Sequence, residues 1–165
     1  MIYILDAYNV IHKIPRLSQA LDKDLRTARD TLIALSGALA SARGDISKII
    51  LVFDGNSEFH DLPQSSPPKI KLVFSETGED ADDRIRGILE QLAKERNKCV
   101  VSDDNSVRNH ARAYLTRIMS VAEFEGLLSP KHKKKTGAKP QDSFSLPLKI
   151  ANEITEAYKK ELGLK

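Results

Sequence analysis

The 165 residues are 41% hydrophobic, enough for one domain with a core and too few for two comfortable ones. Charged residues make up 30% but cancel to a net charge of +3, which excludes a wholly disordered chain. A single cysteine, Cys99, excludes an intrachain disulfide framework and reads as a buried structural thiol in a reducing compartment.

The first apolar run, residues 2–5, has no basic segment ahead of it and is too short for a signal sequence or a membrane span. It reads as a buried central strand, and the protein is expected in the cytoplasm with no membrane partner. Leu25, Leu32, Leu35 and Leu39 then recur near a 3.6-residue period, predicting a helix over 22–43 that Gly44 stops as a C′ glycine. Residues 48–53, a second continuous apolar run, predict another central strand.

Pro63 to Pro68 is a loop by composition, and the alternation of 70–74 beside Lys69 and Lys71 predicts an edge strand. Ile85, Ile88, Leu89 and Leu92 predict a helix over 80–96, and residues 98–102 a third central strand. A helix over 106–114 and a short strand over 117–119 come next. Ser120, with Glu123 three residues on, marks the start of a helix over 121–128. Residues 129–145 form a basic loop, and Leu148, Ile150, Ile154 and Tyr158 predict a C-terminal helix over 146–162. Strands alternating with helices of this length predict a three-layer α/β/α sandwich with a central, mostly parallel, Rossmann-like sheet in a single domain spanning 1–165.

The central strands run directly into acids. Asp6, Asp54 and the Asp103-Asp104 pair come straight after them, at the edge where open parallel sheets bind ligands. Asp82 and Asp83, in the Glu79–Asp83 cluster, fall in the first turns of the next helix, where carboxylates favour the positive end of the macrodipole. Several carboxylates at one edge repel strongly unless a cation neutralises them, and hard divalent ions take oxygen ligands. The pattern points to Mg²⁺ or Mn²⁺ and to phosphodiester hydrolysis. Asn9, in the turn after Asp6, fits either an Asx-type loop bond or a phosphate or base contact. Ser102 is placed to orient a carboxylate. His12, His60, His110 and His132 have no spacing suited to zinc.

Four stretches, Tyr3 to Ile11, Val52 to Gly55, Gly78 to Ile85 and Val100 to Asp104, in this order and spacing, resemble the PIN-like nuclease superfamily. Within it, the chain resembles the NYN class and its YacP-type family. The resemblance implies a PIN-like fold and a metal-dependent endoribonuclease. By position it makes Asp6, Asp82 and Asp104 metal ligands and catalytic acids, Asp83 an assisting helix acid and Asp54 a supporting acid. Asp103 and Asp104 exchange if the alignment slides by one, and the gap to the following helix favours Asp104. The family often carries Gly where Ala7 stands, and some related ribonucleases carry a further acid where Arg108 stands.

For an RNA substrate, single-stranded or messenger RNA with the ribosome as a further partner, the candidate contacts are basic. Lys131, Lys133, Lys134, Lys135 and Lys139, with Lys69, Lys71, Arg108 and Arg112, would track phosphates. Aromatic residues are only 5%, so stacking is limited and Tyr8 is the candidate for one stacked base. Competing readings are a non-catalytic RNA- or ribosome-binding module, a PIN-type toxin ribonuclease and a phosphoryl-transfer protein. The last wants a second acid beside Asp6, where Ala7 and Tyr8 stand, and no Gly-rich phosphate loop is present. No apolar stripe fixes the oligomeric state.

Overall fold

A computed structural model describes residues 1–55, 66–76 and 78–129. The basic loop over 129–145 past Ser129, the helix over 146–162 and residues 63–65 of the proline loop lie outside the described residues. The element order is β1 (Ile2–Asp6), α1 (Ala7–Lys13), α2 (Pro15–Leu21), α3 (Leu25–Ala42), β2 (Lys48–Phe53), β3 (Ile70–Phe74), α4 (Ala81–Gln91), β4 (Lys98–Val101), α5 (Asn105–Ala113), β5 (Arg117–Met119) and α6 (Val121–Leu128). The described strands form one sheet in the order β3-β2-β1-β4-β5, with every neighbouring pair parallel.

Side-chain alternation in the central strands builds two cores from one sheet. Tyr3, Leu5, Ile49, Leu51, Phe53, Cys99 and Val101 face one way and pack with residues of α1, α2, α3 and α6. Ile4, Ile50, Val52 and Val100 face the other and pack with Ile85, Ile88 and Leu89 of α4 and Val107 and Ala111 of α5. This is the three-layer α/β/α sandwich, with β1 at its centre and buried on both faces. The register pairs Tyr3 with Ile49 and Cys99, and Leu5 with Leu51 and Val101. A one-residue slip would exchange the two cores, so burial on both faces locks the register and brings the strand ends level.

The structure departs from the sequence reading at three helix boundaries. The chain after Asp6 is helix and not turn. Asp6 caps α1, and Val10 and Ile11 on α1 and Leu17 on α2 are fully buried under β1. Helix α3 ends at Ala42 with Arg43 extended (φ −120°, ψ 114°), so Gly44 is not a left-handed cap; among the described glycines that conformation belongs to Gly78 (φ 89°). Helix α4 stops at Gln91, short of residue 96, and the buried Lys98 donates its Nζ to the carbonyls of Leu92 and Glu95 at 3.1 Å each. The Ser120–Glu123 capping box forms as the sequence indicates.

Candidate metal centre

The carboxyl ends of the parallel strands and the N-terminal turn of α4 enclose an open cleft of about 420 Å³. Asp6, Asp54, Asp80, Asp82 and Asp104 line it, together with Tyr8, Asn9, His12 and Lys13. Three of these carboxylates are helix N-caps. Asp6 accepts the Asn9 N–H at 3.2 Å at the start of α1, Asp80 accepts the Asp83 N–H at 2.8 Å at α4, and Asp104 accepts the Ser106 and Val107 N–H groups at 2.7 and 3.3 Å at α5. The positive ends of three helices therefore point at one cleft, which suits an anionic lining.

Asp6 is the most enclosed of the acids, about 9% exposed. Burial pushes its carboxyl above the ordinary range and the charges of Asp82 and Asp104 add to that, against the Asn9 N–H and the Ser102 hydroxyl, which favour the ionised form. Asp82 is also raised, by burial first and then by Asp104 and Asp80, while the Ser106 hydroxyl and His110 oppose. Ser102, wholly buried, joins the set: its Oγ donates to Asp6 Oδ2 at 3.4 Å and accepts the Asp104 N–H at 3.0 Å. Asp54 is held from the neighbouring strand end, where Ser75 Oγ donates to its Oδ1 at 3.0 Å and accepts the Gly55 N–H at 2.8 Å.

Two acids named from the sequence are turned elsewhere. Asp83 pairs with Arg86 at 3.0 Å along the α4 surface and does not line the cleft. Asp103 accepts the Val121 N–H on Oδ1 at 3.1 Å and pairs through Oδ2 with Lys13 at 3.3 Å, while its own N–H donates to Asn9 Oδ1 at 3.1 Å. It pins α1 to the start of α6, and Asn9 takes the Asx-type role while still lining the cleft. Of the adjacent pair, Asp104 is the one in the cleft.

Tyr8 lines the cleft with its ring fixed: the Arg29 guanidinium donates to its hydroxyl and lies over the ring, and Phe53 meets it edge-on at 5.8 Å between centroids. Arg108 is not among the lining residues; it adds to the Ser120 hydrogen bonds that chiefly hold the Glu123 carboxyl of α6 below its ordinary range. Lys69 donates to the Ala40 carbonyl at 3.1 Å, and Arg112 to Asn109 at 2.7 Å. Lys131, Lys133, Lys134, Lys135 and Lys139 lie outside the described residues. Asp80, Lys13 and Ser75 were not singled out from the sequence. Asp80 carried a usable signal, an Asp three residues before the first helical turn closes.

The donor set fits a hard divalent cation by chemistry: every candidate ligand is a carboxylate oxygen, and a cation would offset both the burial that chiefly raises Asp6 and Asp82 and the smaller repulsion from neighbouring aspartates. Among the described residues no three acidic, His or Cys side chains already converge as a ready-made metal cage. A Mg²⁺ ion held by one or two of these carboxylates would complete its shell with water.

A Rossmann-like sheet with an aspartate cleft at its carboxyl edge is an architecture that nuclease-like domains share with other proteins, and the family decides between them. The chain belongs to the YacP-like NYN domain family, whose model matches residues 3–162; such domains are nuclease-like and RNA-related, and generally use divalent metals. It is 22% identical over 170 residues to the uncharacterized protein YacP of Bacillus subtilis (strain 168), covering 96% of this chain and 95% of that protein. Among solved structures it is similar to a mutant of Rae1 (YacP) from Bacillus subtilis, with a TM-score of 0.64 at 23% identity, covering 77% of this chain and 74% of that one. It is also similar to a second Rae1 (YacP) structure, with a TM-score of 0.63 at 20% identity, covering 99% and 82%. Among the described residues no helix is long and apolar enough to cross a membrane.

Proposed function

We propose that this protein is a divalent-metal-dependent endoribonuclease that hydrolyses single-stranded or messenger RNA in the cytoplasm, at the ribosome in the fullest form of the reading. The observation that carries it is the cleft itself, in which Asp82 and Asp104 lie near enough to Asp6, and Asp104 near enough to Asp82, for their charges to be felt, while Asp54 and Asp80 complete the rim. A fold with no use for a cation would gain stability by losing some of these charges.

Asp6, Asp82 and Asp104 would hold Mg²⁺ or Mn²⁺. A bound divalent cation supplies charge neutralisation at the phosphate and acidifies water at neutral pH. The remaining chemistry belongs to the chain. Ser102 keeps the Asp6 carboxylate and the Asp104 backbone in fixed relation, and the α1, α4 and α5 N-termini hold the acids that cap them. Asp54, anchored by Ser75, faces the cleft from the β2 side. The pinned Tyr8 ring offers a preorganised face to a base, ordered before RNA arrives. Asp83 and Asp103 support the site from outside it, and Lys131, Lys133, Lys134, Lys135 and Lys139 supply positive charge for RNA phosphates in this reading. The whole chain, 1–165, acts as one nuclease domain in this reading.

The test is cleavage of a long single-stranded RNA with Mn²⁺ or Mg²⁺ by the wild type and by folded Asp6→Asn and Asp104→Asn. Metal-dependent cutting that both substitutions abolish supports the reading. A wild type that never cuts, but binds RNA without metal and keeps that binding in both variants, would leave a non-catalytic binding module.

A further inference from the structure

An aspartate-lined cleft repels the polyanion it is proposed to act on, so some cation must hold the sugar-phosphate backbone at its rim. None of the lysine and arginine side chains named from the sequence within the described residues lines the cleft. Lys69 is bonded to the Ala40 carbonyl, Lys71 borders a small cavity with Ile2 and Leu92, and Arg108 does not line the cleft. Among the described residues that line the cleft, Lys13 is the one lysine or arginine.

Lys13 closes the last turn of α1, whose first residue comes directly after Asp6. Its side chain is half exposed, and its Nζ stands 3.3 Å from Asp103 Oδ2. That is longer than a strong charge-assisted hydrogen bond, and exposed pairs of this kind contribute little. Asp103 loses little if Lys13 leaves, because its other oxygen accepts the Val121 N–H at the start of α6, where the helix dipole also favours the charge. Lys13 is thus a cation on a flexible stem, parked beside the cleft on a partner it can leave.

We propose that Lys13 is a substrate-contact residue that moves from Asp103 to a backbone phosphate of single-stranded RNA lying across the cleft. The inference rests on the nuclease reading and adds to it the group that orients the strand. His12, beside Lys13 on the cleft wall, is placed to donate to the same backbone. On this account Asp103 acts as the resting partner that keeps Lys13 off the cleft carboxylates until RNA arrives.

The experiment measures binding of a short 5′-labelled single-stranded RNA to the full chain in EDTA across a salt series, for wild type, Lys13→Met, Lys13→Arg and Asp103→Asn. Mn²⁺-dependent cleavage of the same RNA and urea unfolding are measured in parallel. Loss of one phosphate contact should lower the slope of log K against log salt by about 0.7 and weaken binding on the order of tenfold at low salt. Lys13→Arg should restore the slope. Asp103→Asn, which removes the pair and leaves the cation, should keep it. An unchanged slope in a folded Lys13→Met, with a fall in stability matched by Asp103→Asn, would assign Lys13 to holding α1 against α6 and overturn the proposal alone. A wild type that neither binds nor cuts this RNA would overturn the nuclease reading and Lys13's role with it.

Discussion

The Ser102 hydroxyl donates to Asp6 Oδ2 at 3.4 Å across 96 residues of sequence, from the end of β4 to the end of β1. The same oxygen accepts the Asp104 N–H, so one buried atom sets the spacing of two of the candidate ligands. Ser102→Ala would strip a donor from a mostly buried carboxylate and an acceptor from a backbone amide. The expected cost is about 1–3 kcal/mol of stability. Metal-dependent cleavage should fall further than the stability loss explains, and Ser102→Thr should recover part of it. Urea unfolding and cleavage on the same samples test this; a fully active, fully stable Ser102→Ala would remove Ser102 from the site.

Asp103 and Asp104 are adjacent but are expected to fail in different ways. Asp104→Asn keeps a good N-cap for α5, so its fold should survive while cleavage drops by about a hundredfold or more, the order expected from losing a few kcal/mol of charge stabilisation. Asp103→Ala removes the acceptor for the Val121 N–H and the partner of Lys13. It should cost about 1–2 kcal/mol and leave metal-dependent turnover measurable below its melting temperature. The opposite pattern, with a dead but stable Asp103→Ala and an active Asp104→Asn, would put the wrong aspartate in the cleft.

That separation shows where sequence reading stops. The strands were legible because β1, β2 and β4 are buried on both faces and so read as unbroken apolar runs, and each delivers an acid to the same edge. The few residues just past a strand end are harder to read. The gap to the following helix favours Asp104 as the inward residue, but the partners that turn Asp103 away, the Val121 N–H of α6 and Lys13 of α1, lie far from the pair in sequence. Asp83, read from the sequence as an assisting acid beside Asp82, is turned by one helical step of about 100° to Arg86 on the surface. Helices α1 and α2 were missed because their apolar residues, Val10, Ile11, Ile14 and Leu17, sit close together around a break at Pro15 and give no sustained period. The signals present were local ones, the Asp6 cap and a proline at the first position of α2.

Helix α3 makes a close approach that also escaped the sequence. A Cβ on Gly37 would fall 2.8 Å from Pro67 Cβ and 2.9 Å from Pro67 Cγ. Gly→Ala inside a helix ordinarily gains up to about 1 kcal/mol, but overpacking against a rigid ring costs about 1–3 kcal/mol. The second effect should win, so Gly37→Ala is expected to lower the urea midpoint. Gly87, in α4 with nothing within 4 Å of the added atom, is the internal comparison and should be stabilised by Ala. A stabilised Gly37→Ala would mean that the chain around Pro67 yields without cost.

The raised carboxyls of Asp6 and Asp82 carry a sign that can be tested without any substrate. Burial leads in both, and neighbouring aspartates add to it, so in the metal-free protein ionisation costs more folded than unfolded. Their stability contribution is fully present below the unfolded value, near 3.8, and is lost as pH rises through the higher folded values. Asp6→Asn or Asp82→Asn should therefore match or trail the wild type in strong acid and overtake it as pH climbs toward neutrality, both in EDTA. The relief should read as a higher Tm for the variants than for the wild type at neutral pH. Adding Mn²⁺ at neutral pH should reverse the order, because binding to the folded wild type raises its Tm by mass action and the variants have lost a ligand. Thermal melts across pH, with and without metal, decide it. Variants that never overtake the wild type in EDTA would show that the crowded carboxylates carry no repulsion to relieve, and the physical case for a cation in this cleft would go with them.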